Sequence, residues 1–324
     1  MSAVTYLEAI RQGIWEEMER DSRVFVMGED VGIYGGAFKV TEGFVHKFGI
    51  ERVVDTPISE MAIASAAYGA SLTGLRPVGE FQFMDFISSA HSQIVQILAK
   101  SNWRWGAPAP LVLRGPSGGG VSGGPFHSQN PEMFYVHTPG LKVIAPATAR
   151  DAKGLMKASI RDNNPVLFFE HKFLYRRIKE ELPAEDYTVE IGKARIHRKG
   201  DDLSVITYGA MVYVAQEAAD ILAKENIQLE IVDLRTLLPL DRVAIRETVE
   251  KTNRVIVLHE DTKTGGIAGE IAAIVNEEAF DFLDAPIVRI TALDAPVPFS
   301  PPLEKAFLPK VEDVVREARR LAKY

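Results

Sequence analysis

Short apolar runs alternating with helical segments constrain this chain most, because that order builds parallel sheets with helices on their faces. Residues 24–27, 52–55, 77–81, 111–114, 141–145 and 166–170 read as strands, each too short and too apolar for an amphipathic helix. Between them, helices are expected over residues 5–21, 61–72, 85–100 and 149–161, the first burying Leu7, Ile10, Ile14, Trp15 and Met18 on one side. The alternation resumes after a charged, proline-containing stretch at residues 179–186, which is read as a linker. Strands follow at 203–207, 229–234, 254–259 and 287–291, with helices at 211–224, 241–251, 266–282 and 312–323. The fold class is therefore α/β with two domains, residues 1–185 and 186–324.

Bulk chemistry narrows the function classes. A net charge of −7 without lysine-rich clusters argues against a nucleic-acid-binding surface. With no cysteine, disulfides, thiolate metal sites and cysteine nucleophiles are excluded. No apolar window reaches membrane length and no basic segment precedes an apolar run, so a soluble cytoplasmic protein is expected.

One glycine-rich loop carries two literal motif matches. Gly115-Pro116-Ser117-Gly118-Gly119 follows a strand as a nucleophile elbow does, and Asp233 and His259 complete a serine–acid–histidine order. Gly118, Gly120 and Gly123 match the dinucleotide fingerprint. Both motifs require a helix directly after the turn, and Gly118 to Gly120 with Pro125 prevent one. A long loop within a compact domain still calls for a task, and this one delivers His127 beside Ser128 and Gln129. The remaining histidines lack the spacing of a metal site; His46 and His197 read as surface or satisfied core residues.

A second stretch stands out at Asp55-Thr56-Pro57-Ile58-Ser59-Glu60. Pro57 ends the strand, Ser59 suits a helix cap, and Glu60 opens a helix that is small or apolar all round. Such a helix is expected to be buried on every side. Glu60 is then either a charge complementing the helix dipole or a buried acid with a task.

Five ordered motifs bear on that choice: Gly28-Glu29-Asp30-Val31-Gly32, the 55–60 segment, residues 80–86, Pro125-Phe126-His127-Ser128-Gln129 and Asp233-Leu234-Arg235-Thr236-Leu237. Through them the chain resembles, end to end, the β subunits of the decarboxylating component of 2-oxo acid dehydrogenase complexes. The resemblance implies a pyrimidine-binding thiamine diphosphate domain followed by a transketolase-type C-terminal domain. It implies that Glu60 bonds the aminopyrimidine ring nitrogen, with burial against Ile58, Met61 and Ile63 raising its pKa. Gln82 and Phe86 would line the aminopyrimidine and substrate end, Ile58 would offer a backbone contact, and Glu29 would lie behind the ring.

By the same resemblance His127 would assist acylation of a lipoyl group. Mg²⁺ and diphosphate are expected on a partner α subunit in a heterotetramer, since no segment here resembles the family's Gly-Asp-Gly…Asn motif. A lipoyl acyltransferase core is the further partner implied. Leu111, Val112, Ser159, Asp162 and Asn164 match a structural K⁺ site, while residues 162–165 also read as an ordinary helix-ending turn. Branched-chain 2-oxo acids or pyruvate are the implied substrates; an acetoin dehydrogenase β subunit and a chiefly assembling, docking subunit are the alternatives. Phe86 stands where many relatives carry Tyr, Ser92 where an Asp is frequent, and residues 101–107 depart from the usual Tyr-Arg-Tyr-Arg-Ser-Gly-Gly.

Overall fold

The computed structural model describes residues 3–324, in two compact units. The first comprises the chain up to Ser117 together with Phe134–Ile191; the second comprises Gly118–Met133 and Gly192–Tyr324. The segment that carries His127 thus belongs to the second unit, although the sequence places it in the first half.

In the first unit, strands β1 (Val24–Gly28), β2 (Val53–Asp55), β3 (Arg76–Glu80), β4 (Val112–Ser117), β5 (Lys142–Ile144) and β6 (Val166–His171) are all parallel. Their order is β5-β6-β4-β3-β1-β2. Strand β1 therefore has β2 on one side and β3 on the other, and successive connections leave it in opposite directions. That arrangement opens a crevice at the carboxyl ends of β1 and β3.

Helices α1 (Tyr6–Arg20), α2 (Glu60–Leu72) and α3 (Ala149–Arg161) belong to this unit. Helix α1 begins with a reciprocal Thr5–Glu8 capping box. It approaches α3 closely at Gly13, where a Cβ would come 3.2 Å from the Lys153 carbonyl oxygen. Two buried carboxylates, Glu80 and Glu170, grip the buried Arg114 guanidinium from β3 and β6, and Tyr175 donates to Glu170 at 2.6 Å. The single guanidinium offsets one of the two negative charges, and burial first, with Glu170 beside it, pushes the Glu80 pKa up to about 7.

Three expectations are corrected. The stretch at residues 179–186 is no free linker: Lys179 and Glu180 pair antiparallel with Thr5 and Val4, and Asp186 bridges Lys157 and Arg161. Residues 84–100 do not form one α-helix but tight 3₁₀ turns around a single π turn, an irregularity that occurs often beside functional sites. Helix α2 buries Ile63, Ala64, Ala67 and Ser71, yet Met61 is 50% and Leu72 49% exposed. Its lack of a polar face thus marks a surface that this chain alone leaves uncovered.

The second unit has strands β7 (Arg195–Arg198), β8 (Leu203–Thr207), β9 (Leu229–Asp233), β10 (Val255–Thr262) and β11 (Val288–Ala292), ordered β11-β10-β8-β9-β7 with β7 antiparallel at the edge. Helices α4 (Met211–Ala223), α5 (Arg242–Thr252) and α6 (Ile267–Glu278) connect these strands, and α7 (Pro301–Phe307) and α8 (Val311–Leu321) follow them. Among the described residues no helix is long and apolar enough to cross a membrane.

His259, near the end of β10, is fully buried against Gly266, and burial pushes its pKa down to about 4. The unfolded chain therefore binds the extra proton between about pH 6.5 and 4, and folding stability falls as pH falls through that window. Nearby Asp261, raised to about 6 by its own burial, acts in the opposite sense, so the histidine is isolated by difference. In His259→Leu, the loss of stability between pH 6.5 and 4, measured by urea unfolding, should shrink by about 3 kcal/mol relative to the parent. An identical pH dependence in both proteins would contradict a neutral buried imidazole.

Candidate active site

Parallel register sets Gly28 beside Asp55 on one side and Glu80 on the other, which aligns three carboxyl ends. Such ends are where ligands bind in open α/β sheets. Glu29 follows β1 directly. Thr56 leaves β2 and donates its N–H to the Gly28 carbonyl at 2.9 Å, after which Ile58, Ser59 and Glu60 lead into α2. Gln82 and Phe86 follow β3. All five residues expected around the aminopyrimidine ring thus lie in the first unit, at adjacent strand ends.

Their environments differ. Glu29 is 4% exposed, and its Oε1 is buried with no hydrogen-bond partner. Burial first, then the negative charges of Glu60 and Asp30, raise its pKa and favour its protonated form. Glu60 is half-buried and its Oε2 accepts a hydrogen bond from Ser89 Oγ at 3.1 Å. Gln82 Nε2 donates to Asp30 Oδ2 at 3.3 Å, and the Phe86 ring packs edge-on against Phe83. Ile58 is 82% exposed. Of the apolar residues expected to bury Glu60, only Ile63 is buried; Ile58 and Met61 lie open in the single chain. Any further desolvation of this carboxylate has to come from what covers the site.

A buried carboxylate oxygen without a partner, a second carboxylate with a single hydroxyl donor, an amide and an aromatic edge suit a planar heterocycle bearing ring nitrogens and an amino group. The residues present therefore fit an aminopyrimidine. Ser89 has no signal in the sequence: its contact with Glu60 follows from the turns of residues 84–90, where periodicity predicts a plain helix.

His127 is half-buried in the second unit and donates its N–H to the Gly124 carbonyl at 3.3 Å. The glycine loop before it has no vacant anion cradle. The Gly119 N–H and the Asn130 amide donate to Glu260, while the Gly120 and Ser122 N–H groups donate to Glu304, each at 2.9 Å. The dinucleotide match fails because the protein's own carboxylates already occupy these donors. The nucleophile-elbow match fails as well: Ser117 is 2% exposed, ends β4 and leads into loop, not helix.

The five residues matching a K⁺ site gather where α3 ends and β4 begins. The Leu111 carbonyl accepts from Val166 N–H, the Ser159 carbonyl from Asp162 N–H, and the Asp162 carbonyl from Arg76. The Asp162 carboxylate receives Lys142 and the Asn164 N–H, and Asn164 Oδ1 accepts from Asn102. A carbonyl has two lone pairs, so one hydrogen bond leaves it able to accept a cation. Among the described residues no cluster of three or more His, Asp or Glu side chains could hold a metal ion.

Comparison with known proteins agrees with this geometry. Residues 2–177 match the family described as transketolase, pyrimidine binding domain, and residues 192–314 match transketolase, C-terminal domain. The chain is 50% identical to the 2-oxoisovalerate dehydrogenase subunit beta of Bacillus subtilis (strain 168), covering all of both chains. It is 44% identical to the pyruvate dehydrogenase E1 component subunit beta of the same organism, again over the whole of both. The chain belongs to the 2-oxo acid dehydrogenase E1 β subunits. An inactive β4 tetramer of a split-gene transketolase shares the fold of this E1 β chain, with a TM-score of 0.82, 99% coverage of each chain and 22% identity. The E1 β family and both transketolase-type domains were legible in the ordered motifs, and the α/β class in the alternation.

Proposed function

We propose that this chain, with an α subunit in a heterotetramer, carries out oxidative decarboxylation of a 2-oxo acid and acyl transfer to lipoyllysine, with branched-chain acids preferred over pyruvate. The preference is supported by identity of 50% to a 2-oxoisovalerate dehydrogenase subunit against 44% to a pyruvate dehydrogenase subunit. The observation that carries the reading is the convergence of Glu29, Glu60 and Gln82 at adjacent strand ends of a pyrimidine-binding domain.

When bound, thiamine diphosphate supplies the carbon nucleophile and electron sink for decarboxylation. Glu60 holds a proton at the aminopyrimidine ring nitrogen, and Ser89 fixes the orientation of its carboxyl group. Glu29 lies behind the ring, where burial first and then the charges of Glu60 and Asp30 hold its pKa above the ordinary carboxylate value. Gln82 and Phe86 line the aminopyrimidine and substrate end, and the Ile58 backbone makes a further contact. His127 serves acyl transfer to the lipoyl group. Mg²⁺ and the diphosphate are held by the α subunit, and a lipoyl acyltransferase core receives the assembled enzyme in the cytoplasm. The uncovered face of α2, with Met61 and Leu72 exposed, supports a simultaneous role in assembly.

In the α-reconstituted enzyme, 2-oxoisovalerate should be turned over with higher kcat/KM than pyruvate or acetoin when an artificial electron acceptor is used. Glu60→Gln should lower that turnover by at least about 10²-fold with the heterotetramer intact by size-exclusion chromatography. Full turnover in the variant would refute the role of Glu60; turnover of acetoin alone would reassign the substrate.

Potassium is proposed on oxygens of Leu111, Val112, Ser159, Asp162 and Asn164. Replacing Na⁺ by K⁺ at constant ionic strength should raise the Tm of the assembled enzyme, and Asp162→Ala should abolish the difference. Equal Tm values in both salts would leave residues 162–165 as a helix-ending turn only.

A further inference from the structure

The glycine loop before His127 is fastened by two carboxylates remote from it in sequence. Glu260, near the end of β10, and Glu304, in the first turn of α7, are 5% and 4% exposed. Glu304 takes the Gly120 and Ser122 N–H groups on separate oxygens at 2.9 Å, and the Ser122 hydroxyl at 3.2 Å. Glu260 takes the Gly119 N–H and, at 3.2 Å, the Asn130 side-chain amide. These bonds bracket the histidine, since Gly119 lies before it and Asn130 after it. The Gly118 N–H donates to the Gln129 carbonyl at 2.9 Å, which closes the same segment into a ring of chain.

Residue choice in the loop follows from this geometry. A Cβ at Gly119 would stand 3.2 Å from Glu260 Oε1 and 3.4 Å from Glu304 Oε1, tighter than ordinary van der Waals contact for the first. Gly118, Gly120 and Gly124 have φ of +82°, +78° and +70°, and Ser122 adopts +56°. Turning through left-handed conformations aims successive N–H groups to one side and forms an anion-binding concavity, here filled from within the chain. Charge-assisted bonds of this kind are about twice as strong as neutral ones. The loop is therefore held, although its composition favours mobility.

We infer that Glu304 and Glu260 are positioning residues for His127, fixing through the 118–130 loop where its imidazole is presented for acyl transfer. The inference rests on the reading of His127 given above. It also gives the C-terminal domain a part in the reaction, because both carboxylates and the loop lie in the second unit.

The test uses the α-reconstituted enzyme and two rates: acylation of a free lipoyl domain, and 2-oxo acid decarboxylation coupled to an artificial electron acceptor. Glu304→Gln replaces one acceptor oxygen by an amide that opposes a loop N–H. It should lower lipoyl-domain acylation by about 10²-fold, the scale of a misplaced reacting group, while the acceptor-coupled rate falls far less. Ser122→Ala removes only the hydroxyl bond and leaves the core untouched, so it should give a smaller loss of acylation in the same direction. Amide hydrogen exchange of the 118–130 peptide should accelerate in both variants. A parallel His127→Ala variant separates the two claims. If it loses acylation and Glu304→Gln does not, the positioning role is overturned. If His127→Ala acylates the lipoyl domain normally, the reading of His127 itself falls, and the positioning role with it. Equal loss of both rates in Glu304→Gln would show a general structural defect and likewise overturn the inference.

Discussion

Both units place carboxylates at or just beyond the carboxyl ends of their strands, and burial there obliges each to find a counter-charge, a donor or a proton. In the first unit Arg114 lies between Glu80 and Glu170 and ties β3, β4 and β6 together. Breaking such a pair from one side is costly, of order 3–5 kcal/mol, since the partner is left buried and uncompensated. Fixing β3 in this way also fixes the start of the segment that carries Gln82 and Phe86. Glu29, one strand over, has an oxygen left without any partner. The carboxylates on Arg114 are bound by a cation, whereas Glu29 keeps one buried oxygen without a partner.

The second unit solves the same problem with backbone. Glu260 and Glu304 accept hydrogen bonds from loop N–H groups, one side-chain amide and the Ser122 hydroxyl, so the order of the loop and the burial of the carboxylates depend on each other. A glycine-rich segment resembling a phosphate cradle thereby becomes a fixed support for a histidine. The chemistry that would bind a ligand's phosphate binds the protein's own anions.

Much of this was legible beforehand, for physical reasons. Period and run length report local burial, so the alternation of strands and helices gave the α/β class, and Pro57 with Ser59 marked the start of α2. Pairings across 141 and 184 residues leave no local trace, so the sequence marks the loop but not Glu260 and Glu304, which hold it. Helix α2 misled in an instructive way. Ala, Ser and Gly count as non-polar in a pattern, yet they do not reveal whether the surface they form is covered by this chain or by another. Arg114 could be read as the end of a strand but not as the centre of a charge network, because Glu80 and Glu170 meet it only in the folded sheet.

The central claim is that Glu60 governs a proton at the aminopyrimidine ring and through it the acidity of the cofactor's thiazolium carbon. Solvent deuterium incorporation at that carbon, in the assembled enzyme without substrate, measures this directly. Glu60→Gln should slow exchange by about 10²–10⁴-fold, the usual reach of a positioned acid–base group, with cofactor still bound. Exchange at the parent rate in a saturated variant would contradict the account.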